Sequence, residues 1–167
     1  MSGSLPTEVQ AAAKRGGFSG AEYNHVATTA RLQTITLLKL DFDVHPERFE
    51  GDGEIRLAFD RKVLSCRFDE ESPAAAAIFQ FSVVAKQGRA RAFHLVADYA
   101  VLYAMGPDAK PDAATGFCKH VGAFAAYPYF RAVAAQMAWN AGVDLPPLPA
   151  IAAMPVMPKS DTIEDRP

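Results

Sequence analysis

The apolar positions of residues 91–105, "RAFHLVADYAVLYAM", repeat with period two on both faces of a predicted strand. Phe93, Leu95, Ala97, Tyr99, Val101, Tyr103 and Met105 share one face. His94, Val96, Asp98, Ala100, Leu102 and Ala104 share the other, which has only two polar members. A strand with one wet face alternates cleanly, so this one is expected to be largely covered on both. "AAAAIFQFSVVAK" behaves alike, with Ala77, Phe79, Phe81, Val83 and Ala85 against Ile78, Gln80, Ser82, Val84 and Lys86. Earlier, Ile55, Leu57 and Phe59 alternate with Glu54, Arg56 and Asp60. That pattern predicts a half-exposed strand, continuing through "KVLSCRF" after a bend. "LQTITLLKLDFDVHP" predicts a first strand ending at Pro46.

Short connections at Gly51–Asp52–Gly53, Asp69–Pro73 and Gln87–Gly88–Arg89 join these strands in sequence, which predicts a four-stranded antiparallel meander. Ser19 suits the N-cap of a short helix carrying Ala21, Val26 and Ala30. After a loop, "GPDAKPDAATG", helical sequence runs to Gly142, with a long helix expected over 128–141. The class is α+β, strands first and the long C-terminal helix after. That helix offers water only Arg131, Gln136 and Asn140. Val133, Met137 and either Tyr129 or Phe130 are expected to face the sheet. Ala132, Ala135 and Trp139 line another side, where small residues let a second helix approach. One long helix can cover one face of four strands, so the other face calls for a subunit, a ligand or a client. The proline-rich tail "LPPLPAIAAMPVMP" cannot be a helix and is expected to lie extended along a groove. Residues 1–18 read as a flexible leader, 19–158 as a single domain and 159–167 as a flexible tail.

Composition narrows the function classes. The 167 residues carry 17 basic and 19 acidic side chains, a formal net charge of −2 that provides no basic field for nucleic acid or for an anionic membrane. No segment reaches the roughly 18 uninterrupted apolar residues of a membrane span, and no apolar run of signal-peptide length opens the chain, so a cytoplasmic protein is expected. Cys66 and Cys118 are far apart in sequence, without metal or redox spacing, and read as two reduced, partly buried thiols. The four histidines fall on different elements with no ligand spacing. His94 reads as the partner of Asp98 or as an interface residue. A Cys118–His120 pair lacks an orienting acid and an oxyanion site. No phosphate-cradling glycine loop is present. Neither an enzyme nor a cofactor is expected.

What remains is apolar surface rich in aromatic rings and thioethers, suited to accepting many unrelated side chains. The client-binding or subunit-interface positions expected from it are Phe42, Phe79 and Phe81, then Phe93, Leu95 and Tyr99 on the fourth strand. Tyr127, Tyr129, Phe130, Met137 and Trp139 follow on the helix, with Leu148 and Met154 in the tail.

"GAFAAYPYFRAVAAQMAWNAGVDLPPLPAIAAMPVMP" resembles the C-terminal half of the SecB family of export chaperones. The matching residues are Gly122, Tyr127, Pro128, Tyr129, Arg131, Gly142, Pro146 and Leu148. The resemblance implies a four-stranded antiparallel sheet backed by helices, with Pro128 in the first turn of the long one. It implies a tetramer made of two dimers. It also implies an ATP-independent holdase that binds unfolded polypeptides in apolar grooves, and docking to the translocation motor ATPase. The near-neutral charge, and His94 and Val96 where the family is acidic, depart from that last point. The N-terminal helix and the ending "LPPL…MPVMP" look more like SecB-like chaperones dedicated to toxin–antitoxin systems. General preprotein export and service to one dedicated client, such as an antitoxin, both stay open. So do two other readings of the apolar surface: an oligomer binding a hydrophobic small molecule, and an adaptor for one folded partner.

Overall fold

The computed structural model describes residues 17–50 and 53–150. Helix α1 (Gly20–Thr29) starts where its cap dictates. The Ser19 side chain accepts from the Glu22 backbone N–H at 3.2 Å, and Glu22 Oε2 accepts from the Ser19 N–H at 2.7 Å. Those bonds hold the Glu22 carboxyl below its ordinary pKa. Tyr23 and Val26 are the buried side of α1. Tyr23 stacks on Phe18 and meets Phe117, each at 6.0 Å between ring centres. Phe18, assigned to the leader from sequence, is thus part of the core.

Four strands follow: β1 (Arg31–Val44), β2 (Ile55–Asp69), β3 (Ala74–Gln87) and β4 (Ala90–Ala104). The sheet is antiparallel throughout, in the order β1-β4-β3-β2. Strands β2, β3 and β4 form the expected meander, but β1 lies beside β4 and not beside β2. The four strands together therefore have the spatial order of a Greek key. The physical reason is legible in the strands themselves. β3 and β4, apolar on both faces, take the two central places, while β2, with charges on one face, takes an edge. The link from Val44 to Ile55 passes through a 3₁₀ turn, Pro46–Arg48. It is held beside β4 by His45 N–H donating to the Ala92 carbonyl at 2.8 Å and by an Arg48 bond to the Arg91 carbonyl. Both edge strands are bulged, with Leu38 and Leu64 at the register breaks.

The long helix α2 (Pro111–Asn140) has 30 residues, about 45 Å, and begins seventeen positions before Pro128. Pro111 occupies the first turn, where a missing N–H costs nothing. Pro128 is internal, which corrects its expected place at the helix start. It stands on the exposed side beside exposed Phe124, whose carbonyl loses its i+4 donor where water can replace it. The sequence "GPDAKPDAATG" is helical from its sixth residue because Ala113 and Ala114 pack into the core. Gly122 brings the helix onto the sheet: a Cβ there would sit 2.9 Å from the Phe79 ring. Phe59, Phe81, Tyr127 and Phe130 interlock across this contact with ring centres 5.2–6.4 Å apart. Gly142, at φ 68°, ends the helix. Val143 N–H returns to the Ala138 carbonyl at 3.1 Å and Gly142 N–H to Trp139 at 3.0 Å, a Schellman cap.

Candidate functional site

The two faces of the sheet have different fates. On the helix side, α2 crosses β2, β3 and β4 and reaches β1 only marginally. Phe79, Phe81, Phe93, Leu95, Tyr99, Tyr127 and Phe130 are all interior there, and Leu148 is buried under the strap that follows the helix. These eight residues, expected at a client or subunit surface, are the core of this chain. They shape the surface from beneath. Phe42 and Met137 are half-buried, and Tyr129 and Trp139 are exposed, Trp139 at 81%. Met154 lies outside the described residues. Burial raises the phenol pKa of Tyr99, and also of Tyr127, where Arg131 opposes it in part. The Tyr99 hydroxyl has no hydrogen-bond partner among the described residues.

Where α2 reaches only marginally, β1 carries the same alternation with little cover among the described residues. Leu37 pairs with Tyr99 and Leu40 with Ala97, so both leucines belong to the helix side of the sheet. Their exposures are 41% and 39%. Ile35 and Phe42, on the same face, are half-buried, and Phe42 meets Phe93 edge-on at 5.3 Å. Leu38, at the bulge, and Leu32 extend the apolar strip. The outer edge of β1, a strand of 14 residues, has no neighbouring strand among the described residues. Sequence reasoning named only Phe42 on this strand. The signal it passed over is the adjacent pair Leu37–Leu38, an apolar doublet that breaks alternation on an edge.

A second apolar feature lies at the end of α2. Trp139, Gly142, Val143 and Asp144 line an open cleft of about 460 Å³. From Val143 the chain doubles back as a strap, with Val143 and Leu148 buried and Tyr127 Oη donating to the Pro149 carbonyl at 2.5 Å. Prolines at 146, 147 and 149 keep this strap out of any helix.

The opposite face of the sheet has no helix on it among the described residues. His94, Val96, Asp98, Ala100 and Leu102 are half-buried there by their neighbours alone. Asp98 accepts from Gln80 Nε2 at 2.9 Å, so its partner is an amide and not His94, which stands opposite Asp43 and Val84. His120 meets Phe124 edge-on, with ring centres 5.2 Å apart. No three His, Cys, Asp or Glu side chains converge on a metal geometry among the described residues. No described helix is long and apolar enough to cross a membrane.

The architecture has a solved counterpart. The SecB-like chaperone Rv1957 of Mycobacterium tuberculosis, determined in complex with a ChAD peptide from the HigA1 antitoxin, superposes with a TM-score of 0.62. The match covers 84% of this chain and 96% of that one at 18% sequence identity. The fold is SecB-like. No family model matches the sequence, and no curated protein does either. Within the SecB-like fold, the strip on β1 and the cleft at Trp139 are two exposed apolar features that this chain's own residues build.

Proposed function

We propose that this protein is an ATP-independent chaperone that holds extended, non-native polypeptide in apolar grooves. The observation that carries the reading is the uncovered strip of β1, where Leu37 and Leu40 continue a core that α2 stops covering. An extended segment laid there would bury side chains on the strip. At roughly 25 cal/mol per Å², about 400 Å² of apolar burial gives ~10 kcal/mol gross. Ordering a flexible client takes back several kcal/mol, which leaves binding near the micromolar range. Such binding releases without a nucleotide.

The Rv1957 structure supports a peptide as the bound species, since it holds a segment of an antitoxin. The near-neutral charge of this chain favours a dedicated client of that kind over docking to a translocation motor. Its quaternary form is a homotetramer, a dimer of dimers, in the cytoplasm. The free edge of β1 and the Ala132, Ala135 and Trp139 side of α2 are its two joints. The reading requires no catalysis.

The test is aggregation suppression of a chemically unfolded client without ATP, with mass by light scattering on the same sample. Suppression near one oligomer per client, at the mass of four chains, is the expected result. Unimpeded aggregation at excess chaperone would remove the holdase reading.

A further inference from the structure

The two cysteines, 52 positions apart, meet in space. Cys66 is on β2 opposite Ala77, half-buried at the sheet edge, and its thiol donates to the Thr115 carbonyl at 3.7 Å. Cys118, one helical turn beyond Thr115, is fully buried, its thiol donating to the Ala75 carbonyl on β3 at 3.7 Å. Thr115 lies one turn before Cys118 on α2, and Ala75 is two positions from Ala77, the register partner of Cys66, so both thiols sit at one stretch of the contact between α2 and the β2–β3 pair. The other cysteine and Lys119 are the neighbours that polarise Cys66. The arrangement is asymmetric, with Cys66 half-buried and Cys118 fully buried.

We propose that Cys66 and Cys118 form a redox-modifiable dithiol, in which Cys66 is oxidised by a hydroperoxide and Cys118 resolves it into an intrachain disulfide between β2 and α2. The Cys66 thiolate sulfur attacks one peroxide oxygen. The O–O bond breaks and the other oxygen leaves as an alcohol, or as water from hydrogen peroxide, taking up a proton. Cys66 is then a sulfenic acid. The Cys118 sulfur attacks the sulfenic sulfur, the S–O bond breaks, and the hydroxyl leaves as water with the Cys118 proton. Two thiols are oxidised by two electrons, and one hydroperoxide is reduced. The bond needs no long-range movement, because Cys66 already reaches the Thr115 carbonyl one turn before Cys118 on α2. The neighbouring Cys118 thiol and the charge of Lys119 lower the pKa of the Cys66 thiol against the opposing effect of burial. Its contact with Cys66, together with burial, pushes the Cys118 thiol far up. The lowered pKa suits Cys66 as the sulfur that meets the peroxide, while Cys118 stays a protonated thiol until the sulfenic acid forms beside it.

The experiment treats the full-length protein with stoichiometric hydrogen peroxide, alkylates it under denaturing, non-reducing conditions, and maps the peptides. Expected are loss of both thiols together, a linked Cys66–Cys118 peptide within one chain, and a melting temperature raised by roughly 5–15 °C that a dithiol reductant reverses. In Cys118→Ser, Cys66 should halt as a sulfenic acid that dimedone captures. In Cys66→Ser, Cys118 should stay unmodified at the same dose. Cys118 still alkylatable after Cys66 has been oxidised, or a disulfide found only between chains, would overturn the proposal. So would a Cys66 that reacts no faster than free cysteine. The wild-type map decides the matter even if a variant folds poorly.

Discussion

Leu37 and Tyr99 are register partners on one face of one sheet, yet 41% of the leucine is exposed and only 3% of the tyrosine. The next pair on that face repeats the contrast, with Leu40 at 39% and Ala97 at 0%. Residue type does not separate them, because all four are apolar or aromatic and all four point toward the helix layer. What separates them is the track of α2, which passes over β4 and reaches β1 only marginally. A core and a docking strip are thus the same sheet face on the two sides of a helix margin. On the buried side, substitutions should be felt as stability. On the exposed side they should be felt as binding.

The largest expected effect tests the covered side. Phe81→Ala removes a fully buried ring that touches Phe59, Phe79, Tyr99, Tyr127 and Phe130. Urea titration should show a loss of ~3–5 kcal/mol, enough to leave the fold marginal. A change below ~1 kcal/mol would mean that this cluster is not the packing centre. Next comes the uncovered side. Leu37→Asp with Leu40→Asp should leave unfolding within about 1 kcal/mol of wild type. It should weaken an unfolded client by tenfold or more, about 1.4 kcal/mol, read by fluorescence titration. Equal client affinity in that double variant would move the groove elsewhere.

The margin itself can be probed at Tyr99. Its hydroxyl is buried without a partner among the described residues, a condition that costs about 1–3 kcal/mol. Tyr99→Phe removes that cost, so thermal unfolding should show a protein up to ~1 kcal/mol more stable. Destabilisation would reveal a bond made by the hydroxyl. The smallest effect lies away from both sides, at the capping box. Glu22 has a lowered carboxyl pKa in the folded chain, so its contribution is present above the unfolded value near 4.5 and fades as pH falls through the folded one. Glu22→Gln should therefore flatten only the acid limb of a stability–pH curve and leave neutral pH almost unchanged.

Much of this arrangement was legible in the residues. The period-two sets on β3 and β4 announced their two apolar faces, and the members on the Phe93 side are the ones that α2 buries. Ser19 marked the start of α1. Strand order was not legible, because alternation specifies which side a residue faces and says nothing about which strand lies next to it. Pro128 was read as a helix start since proline favours first turns, but an exposed helix face tolerates it in the interior. The meeting of Cys66 and Cys118 depended on that longer helix: only a helix beginning at Pro111 carries residue 118 back over β2. The residues named for the surface were chosen for size and aromaticity, which are also what a core selects. The smaller leucines of β1 were overlooked for the same reason.

The Greek-key order has a consequence for how the chain assembles. β1 is made first, but its partners on β4 lie between 49 (Val44 to Phe93) and 73 (Arg31 to Ala104) residues further along. The hairpins β2–β3 and β3–β4 close over short loops, whereas β1 must wait for a long closure. During synthesis the leucine-rich first strand is therefore the longest-waiting segment, an apolar edge with nothing to pair. Pulse-labelled hydrogen exchange during refolding should protect the amides shared by β3 and β4 before those of β1. Simultaneous protection would mean that the strand finds its place in the nucleus. Until β4 exists, a new copy of this chain presents the kind of extended apolar segment that a finished copy is proposed to hold.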